Sequence, residues 1–575
     1  MKKLFRFVKP YWYWVVLVFI LLLGQALAEL NLPTLMSKIV DDGIAKGDTA
    51  LIFSNGGIML IIAALGGIFS IATSFLSSRV AMGFSRDLRS AVFKRVESFS
   101  LNEFNKLGTA TLITRTTNDI TQVQMVFMMG MRMMAMAPMM AIGGVIMALS
   151  QNVKLAVVIL VAIPVLAGVV ALLLVKGIPI FKSIQQKVDT INLVLRENLT
   201  GVRVIRAFNR IDRERERFDL ASLDLANTAI KVNTLMAFMM PAILIIMNFA
   251  SIAILWYGSS LIQASELRVG SLMAFIQYAG MIMFSLVMVS IIFIMIPRAQ
   301  ASADRINEVL DIVPDINDPA NPKPASDCKG CVEFQNVSFT YPGAEQPAIC
   351  DLSFDVHPGE ITAIIGGTGS GKSTLVNLIP RFYDVGEGRV LVDGVDVREM
   401  TQETLRSKVG FVPQQAILFT GTITENIRYG KEDATEDEIQ HAAAIAQAQD
   451  FISAMPEGYN TAIEQGGVNV SGGQKQRLSI ARALVRKPEI YVFDDSFSAL
   501  DFKTDAKLRT ALKQEITDST VIIVAQRVST VLDADRIIVL EDGHVAGIGN
   551  HKQLITTCDV YREIVASQLS EEELQ

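Results

Sequence analysis

The chain has 575 residues, 51% of them hydrophobic and 19% charged, with a formal net charge of −6. One hydrophobic core does not serve that length, so two or more domains are expected. The acidic balance argues against nucleic acid as a partner, and four scattered cysteines make no disulfide framework of the secreted kind.

Up to about Pro297, long apolar runs alternate with basic stretches; from about Cys331 onward the chain reads as a soluble α/β domain. A bilayer core takes about 20 apolar residues in a helix. Six stretches qualify: 12–36, 56–78, 125–149, 154–180, 234–263 and 271–296. The first is too long for a cleavable signal peptide and lacks a small-residue cleavage site. Basic residues gather at the N-terminus (Lys2, Lys3, Arg6, Lys9), after the second span (Arg79 to Arg115) and after the fourth (Lys182 to Arg210). The opposite loops are short, and the first carries Asp41, Asp42 and Asp48. By the positive-inside rule both termini and both long loops lie in the cytoplasm, as in a multi-pass protein of the cell membrane.

The two long loops are helix-permissive and would carry helices tens of Å beyond the bilayer. Their polar tips, 111–119 (TLITRTTND) and 209–217 (NRIDRERER), are expected to form short helices that contact the soluble half. Inside the spans, Glu29 and Arg132 are costly in lipid and should face a cavity or a partner helix. The third span is rich in methionine, from Met125 to Met147. Those side chains are either plain core and lipid filler or the wall of an adaptable greasy cavity.

Residues 311–330 hold four prolines and read as a linker between a membrane domain (1–310) and a nucleotide-binding domain (331–575). Cys328 and Cys331 form one CxxC, half of a tetrahedral zinc site, so they are expected as ordinary thiols beside a strand start. Then ITAII, a strand pattern, leads into GGTGSGKS at 366–373 and on to the helical TLVNLI. Strand, GxxxxGKS and helix together define a phosphate loop. Gly366, Thr368, Gly369, Ser370, Gly371 and the following Thr374 shape it; Lys372 would reach the β- and γ-phosphates, and Ser373 would offer an oxygen to Mg²⁺. Asp494 closes the buried-strand pattern IYVF, where an acid can hold the Mg²⁺ shell. Ser471, in VNVSGGQKQRLSIARALV, is a helix N-cap with an open Gly472-Gly473 backbone behind it.

SGGQ between a phosphate loop and such a strand resembles the signature of ABC-transporter nucleotide-binding domains. With six spans ahead of it, nearly the whole chain resembles a half-transporter of the exporter type (type IV). NLTGVRVIRAF at 198–208 is similar to the second intracellular loop of that family. The resemblance implies a membrane all-α domain of six long helices and a cytoplasmic P-loop ATPase domain that uses ATP and Mg²⁺. It also implies that Tyr341 stacks on adenine and that Gln414 senses the γ-phosphate and Mg²⁺. Ser471, Gly472, Gly473 and Gln474 would serve the nucleotide of the opposite subunit, and Ser498–Asp501 would cross between the two sites. Glu464 would lie where the coupling loops touch.

Two positions depart from the family pattern. Asp495 stands where a glutamate polarises the attacking water, and Gln526 stands where IIVAHR has its histidine. Aspartate places its carboxylate about 1.5 Å short, and a misplacement near 1 Å can cost on the order of 10²-fold. Glutamine cannot carry a proton as imidazole does. Both changes fall at the γ-phosphate end, so the resemblance is closest to the degenerate-site subunit of bacterial heterodimeric multidrug exporters. ATP should still bind there, and the intact SGGQ would complete a partner's competent site. A homodimeric lipid or drug flippase with slow ATPase, or a non-transporting regulatory subunit gated by ATP, are the alternatives.

Overall fold

The computed structural model describes residues 1–324 and 329–568. Two compact units divide them: Met1–Glu97 with Thr109–Ile312, and Ser98–Gly108 with Val313 onward.

The first unit is helical throughout. Among the described residues six helices are long and apolar enough to cross a membrane. Their apolar stretches match the six expected from hydropathy. In hydrocarbon each backbone N–H and C=O must be satisfied within the segment, and helices achieve this. Trp12–Lys38, Thr49–Glu97, Ala156–Thr200 and Val269–Asp311 are the long continuous ones. The third span is broken by two π-helical turns, Arg115–Asp119 and Gly130–Met134, and the second of these carries Arg132.

Three polar ties set how the first and third spans pack against the last helix. Tyr278, fully buried, donates its hydroxyl to Leu30 O (2.9 Å) and also bonds the Thr34 hydroxyl (2.6 Å). Asp41 accepts from the backbone N–H of Gly270 (2.6 Å) and Ser271 (3.2 Å), which places a negative charge at the free N–H groups opening Val269–Asp311. Arg305 Nε donates to buried Asp119 (2.8 Å), and Arg115 pairs with Glu308 (2.8 Å).

These last pairs correct one expectation. Residues 111–119 do not form a short helix of their own: they end the helix Thr109–Thr114 and continue as the π-helical turn Arg115–Asp119, with Arg115 and Asp119 buried against the final helix of their own unit. The short helix that joins the second unit lies earlier, at Leu101–Leu107. Ser100 caps it in a reciprocal box with Glu103. Glu103 is 7% exposed and also accepts from the backbone of Asp315 (3.0 Å). Burial works to raise the Glu103 carboxyl, but the hydrogen bonds from Ser100 and Asp315 prevail and hold it low. The second tip is not a separate short helix either: Val202–Ala207 is the short one, and residues 211–217 open the long helix Ile211–Ala237.

The second unit is built on two main sheets. β1 (Val332–Phe339), β2 (Ile349–Val356), β4 (Glu387–Val392) and β5 (Val395–Asp396) form an antiparallel sheet in the order β2-β1-β4-β5. β3 (Ile361–Gly366), β6 (Val409–Val412), β9 (Ile490–Asp494), β10 (Thr520–Val524), β11 (Arg536–Glu541) and β12 (His544–Gly549) form a larger sheet in the order β12-β11-β3-β10-β9-β6. Every pairing in it is parallel except β11 with β12, and β7 (Gly421–Thr422) with β8 (Ala462–Ile463) makes a separate small antiparallel pair. Alternate residues of its central strands enter two separate cores, Phe493 and Ile523 in one, Val492 and Ile522 in the other. Burial on both faces is why these strands read as unbroken apolar runs.

Cys331 is disulfide-bonded, where an ordinary thiol was expected; Cys328 lies outside the described residues.

Glu103→Ala would leave the N–H groups of Ser100 and Asp315 without their acceptor. The expected loss is about 1–3 kcal/mol, read as a lower calorimetric transition of the full chain in lipid nanodiscs, with Glu103→Gln losing less.

Candidate functional site

The parallel pairing places the site. β10 lies between β3 and β9, so the segments that follow these three strands emerge side by side at one sheet edge. The β3–helix turn is the phosphate loop. Gly371 has φ +93°, and a Cβ on it would lie 2.6 Å from Ala348 O. Above Gly367 and Gly369 the space is open, which leaves a cradle bounded by backbone N–H groups. Thr368 is exposed, and Ser370 is buried with its N–H on Gly367 O (3.3 Å).

Lys372 is nearly buried and folds back over the loop, donating to Gly366 O (2.9 Å) and Gly367 O (2.7 Å). Burial lowers its pKa, against the pull of Asp495 and Asp494. Ser373 Oγ donates to Asp494 Oδ1 (2.9 Å). A hydroxyl and a carboxylate beside a cradle of amides are the hard oxygen donors that Mg²⁺ with a polyphosphate takes, so these residues fit MgATP. Burial pushes the Asp494 carboxyl up, and the neighbouring Asp495 adds to this.

Asp495 follows β9 with φ +46°, and its N–H is held by Val524 O (3.0 Å) on β10. Its Oδ2 accepts two side-chain amides at once, from Gln414 Nε2 (3.1 Å) and Gln526 Nε2 (2.9 Å). Burial raises the Asp495 carboxyl, while Gln414, Ser498 and the nearby cations Lys372 and Arg527 work to lower it. The two departures seen in the sequence therefore meet at a single oxygen atom.

Tyr341 sits in an aromatic trio with Phe339 and Tyr383, and its hydroxyl bonds the Thr374 hydroxyl (3.0 Å). Asn105, on the short helix from the membrane half of the sequence, donates to the Tyr383 hydroxyl (3.4 Å).

Other predicted residues are not gathered here. Ser471 caps Gly472–Leu484, in a reciprocal box with Gln474, and stays exposed. Gly473 packs under the Ala499 carbonyl, which a Cβ would approach to 3.1 Å. Asp501 caps the next helix through Thr504 N–H (3.0 Å), and that bond holds its carboxyl low. Among the described residues no hydrogen bond joins Ser471–Gln474 to the phosphate loop. Glu464 is exposed, its N–H on Asn469 Oδ1 (3.1 Å).

The structure adds residues that no motif announces. Arg527 donates to Ser498 O (3.1 Å). Gln568, closing the helix Asp559–Gln568, donates to Gln526 O and accepts from Val528 N–H (both 2.8 Å), so that helix holds the Gln526 segment. Only contact across the fold reveals these.

Six membrane-length helices followed by a phosphate-loop ATPase unit with an SGGQ helix define an ABC exporter half-transporter. Comparison with known proteins agrees. The family of the ABC transporter transmembrane region matches residues 15–287, and the family described as ABC transporter matches residues 349–498. The chain belongs to the ABC transporter family. It is 44% identical to an uncharacterized ABC transporter ATP-binding protein of Mycobacterium tuberculosis, over 98% of this chain and 97% of that one. A Bacillus subtilis ATP-binding/permease protein, whose name proposes multidrug export, is 32% identical over 99% of each chain. The ATP-dependent lipid A-core flippase of Vibrio parahaemolyticus is 30% identical over 99% of this chain and 98% of its own. Among solved structures, a bacterial Atm1-family ABC exporter with ATP bound superposes with a TM-score of 0.82 at 27% identity, covering 97% of this chain and 99% of that one.

Gly371→Ala would force a left-handed, crowded position. A loss of about 1–3 kcal/mol in stability is expected, measured by thermal unfolding, with loss of ATP protection against unfolding.

Proposed function

We propose that this chain is one subunit of a heterodimeric ATP-driven exporter of hydrophobic or amphiphilic compounds in the cytoplasmic membrane, and that its own phosphate loop carries the weaker of two ATP sites. The observation that carries this reading is the convergence of Gln414 and Gln526 on Asp495 Oδ2.

A base that activates water needs a carboxylate oxygen aimed at that water. Here the side chain is short, and one oxygen is already occupied by two amide donors. Gln526 can orient a phosphate or a water but cannot relay a proton. MgATP, when bound, supplies the phosphoanhydride whose cleavage drives the cycle. Lys372 and the loop amides would hold its phosphates, Ser373, Asp494 and Gln414 its metal, and Tyr341 its adenine. Binding is thus equipped and hydrolysis is handicapped.

Two surfaces support a two-chain assembly. Ser471 and Gly472 stand exposed at the start of their helix, and the apolar Val204 and Phe208 around the short helix Val202–Ala207 are exposed within their own unit. The reading adds a homologous partner whose glutamate and histidine face this chain's SGGQ. A homodimeric flippase is a second reading, favoured by the name of the Vibrio relative.

The deciding experiment is the ATPase rate of the full chain alone in lipid nanodiscs. ATP should bind with very slow turnover, and Asp495→Glu with Gln526→His should raise the rate on the order of 10²-fold. Brisk turnover by a stable homodimer, abolished by Asp495→Asn, would overturn the heterodimer reading in favour of the second.

A further inference from the structure

Glu29 lies within the first membrane helix, roughly two and a half turns, or about 13 Å, before its end at Lys38. Among the described residues no Lys, Arg or His pairs with it. Its side chain accepts one hydrogen bond, from Gln25 Nε2 one turn earlier on the same helix (2.9 Å). Arg132, the other charge in the spans, is exposed on its π-helical turn and makes no ion pair with Glu29. An ionisable group at membrane depth without a partner in its own chain needs one from elsewhere.

The cavity beside it identifies the kind of partner. Glu29 lines a space of about 300 Å³ with Met136, Met140, Met281, Phe284 and Met288. Ser285 also borders it, but its hydroxyl donates to Ile282 O on its own helix (2.7 Å). The carboxylate is therefore the charged group in an otherwise apolar wall. Thioethers adapt to irregular apolar bodies and are polarised by a nearby positive charge. The size is at the lower end of small-molecule pockets, which combine an apolar lining with a few orienting polar groups.

We propose that this cavity is a binding site for amphiphilic organic cations, with the cationic centre against Glu29 and the apolar body against the methionines of the third and sixth spans. The inference rests on the export reading for its physiological use and narrows its substrate class.

Binding to the full chain in phosphatidylcholine nanodiscs tests it by equilibrium dialysis. The probes are tetraphenylphosphonium, a permanent cation, and triphenylphosphine oxide, a neutral molecule with a similar aromatic body. Glu29→Gln should weaken tetraphenylphosphonium about tenfold and leave the neutral probe unchanged. Glu29→Asp should keep most of the cation affinity, and Met136→Ala with Met140→Ala should weaken both probes. The unchanged neutral probe guards against a misfolded variant. No cation binding by the parent chain, or an equal effect of Glu29→Gln on both probes, would overturn the site. Failure of the export reading looks different: Glu29-dependent binding would persist, but co-reconstituted with its partner the chain would take up neither probe when ATP is added.

Discussion

The nucleotide site depends on one constraint: β10 is hydrogen-bonded in parallel to β3 on one side and β9 on the other. Parallel strands end at the same edge, so three segments far apart in sequence emerge together. The phosphate loop leaves β3, Asp494 and Asp495 leave β9, and Gln526 follows β10 two residues on. The bonds from Asp495 N–H to Val524 O and from Ala525 N–H to Ile364 O (both 3.0 Å) lock the exits in register. A slip of one residue in either ladder would exchange the two faces of the strand and separate Ser373 from Asp494.

The membrane unit obeys a different constraint, the cost of polar groups in hydrocarbon. Inside the spans and at their ends, several polar groups are answered within the chain. Tyr278 finds Leu30 and Thr34, Asp41 finds the helix start at Gly270, and Asp119 finds Arg305. Each tie joins an early helix to the last one, so the same bonds that satisfy polar groups also orient the bundle. Glu29 stands apart because it has no such cationic answer, and the methionine cavity lies where it is unanswered.

Much was legible in sequence because it is local. The six spans follow from apolar run length, and the phosphate loop follows from glycine spacing between a strand and a helix. The capping box at Ser471 can be read three residues at a time. The short helices of the two long loops lie elsewhere than their polar tips, in the first loop for a nonlocal reason. TLITRTTND looks like a solvated tip, yet Arg115 and Asp119 have partners near residue 305. The real helix, LNEFNKL, carries the capping signature Ser100–Glu103, a local signal that was available but less conspicuous than the charges that follow it.

The sequence by itself determined the layers, the order of the motifs and the two substitutions at the γ-phosphate end, since each is written in neighbouring residues. Tertiary structure alone decided that Gln414 and Gln526 share one oxygen of Asp495, that Gln568 steadies the Gln526 segment, and that Glu29 faces methionines rather than a cation. The physical reason is the same in each case: a side-chain hydrogen bond or ion pair acts over about 3 Å, and only the pairing of strands and helices brings residues separated by tens or hundreds of positions to that distance.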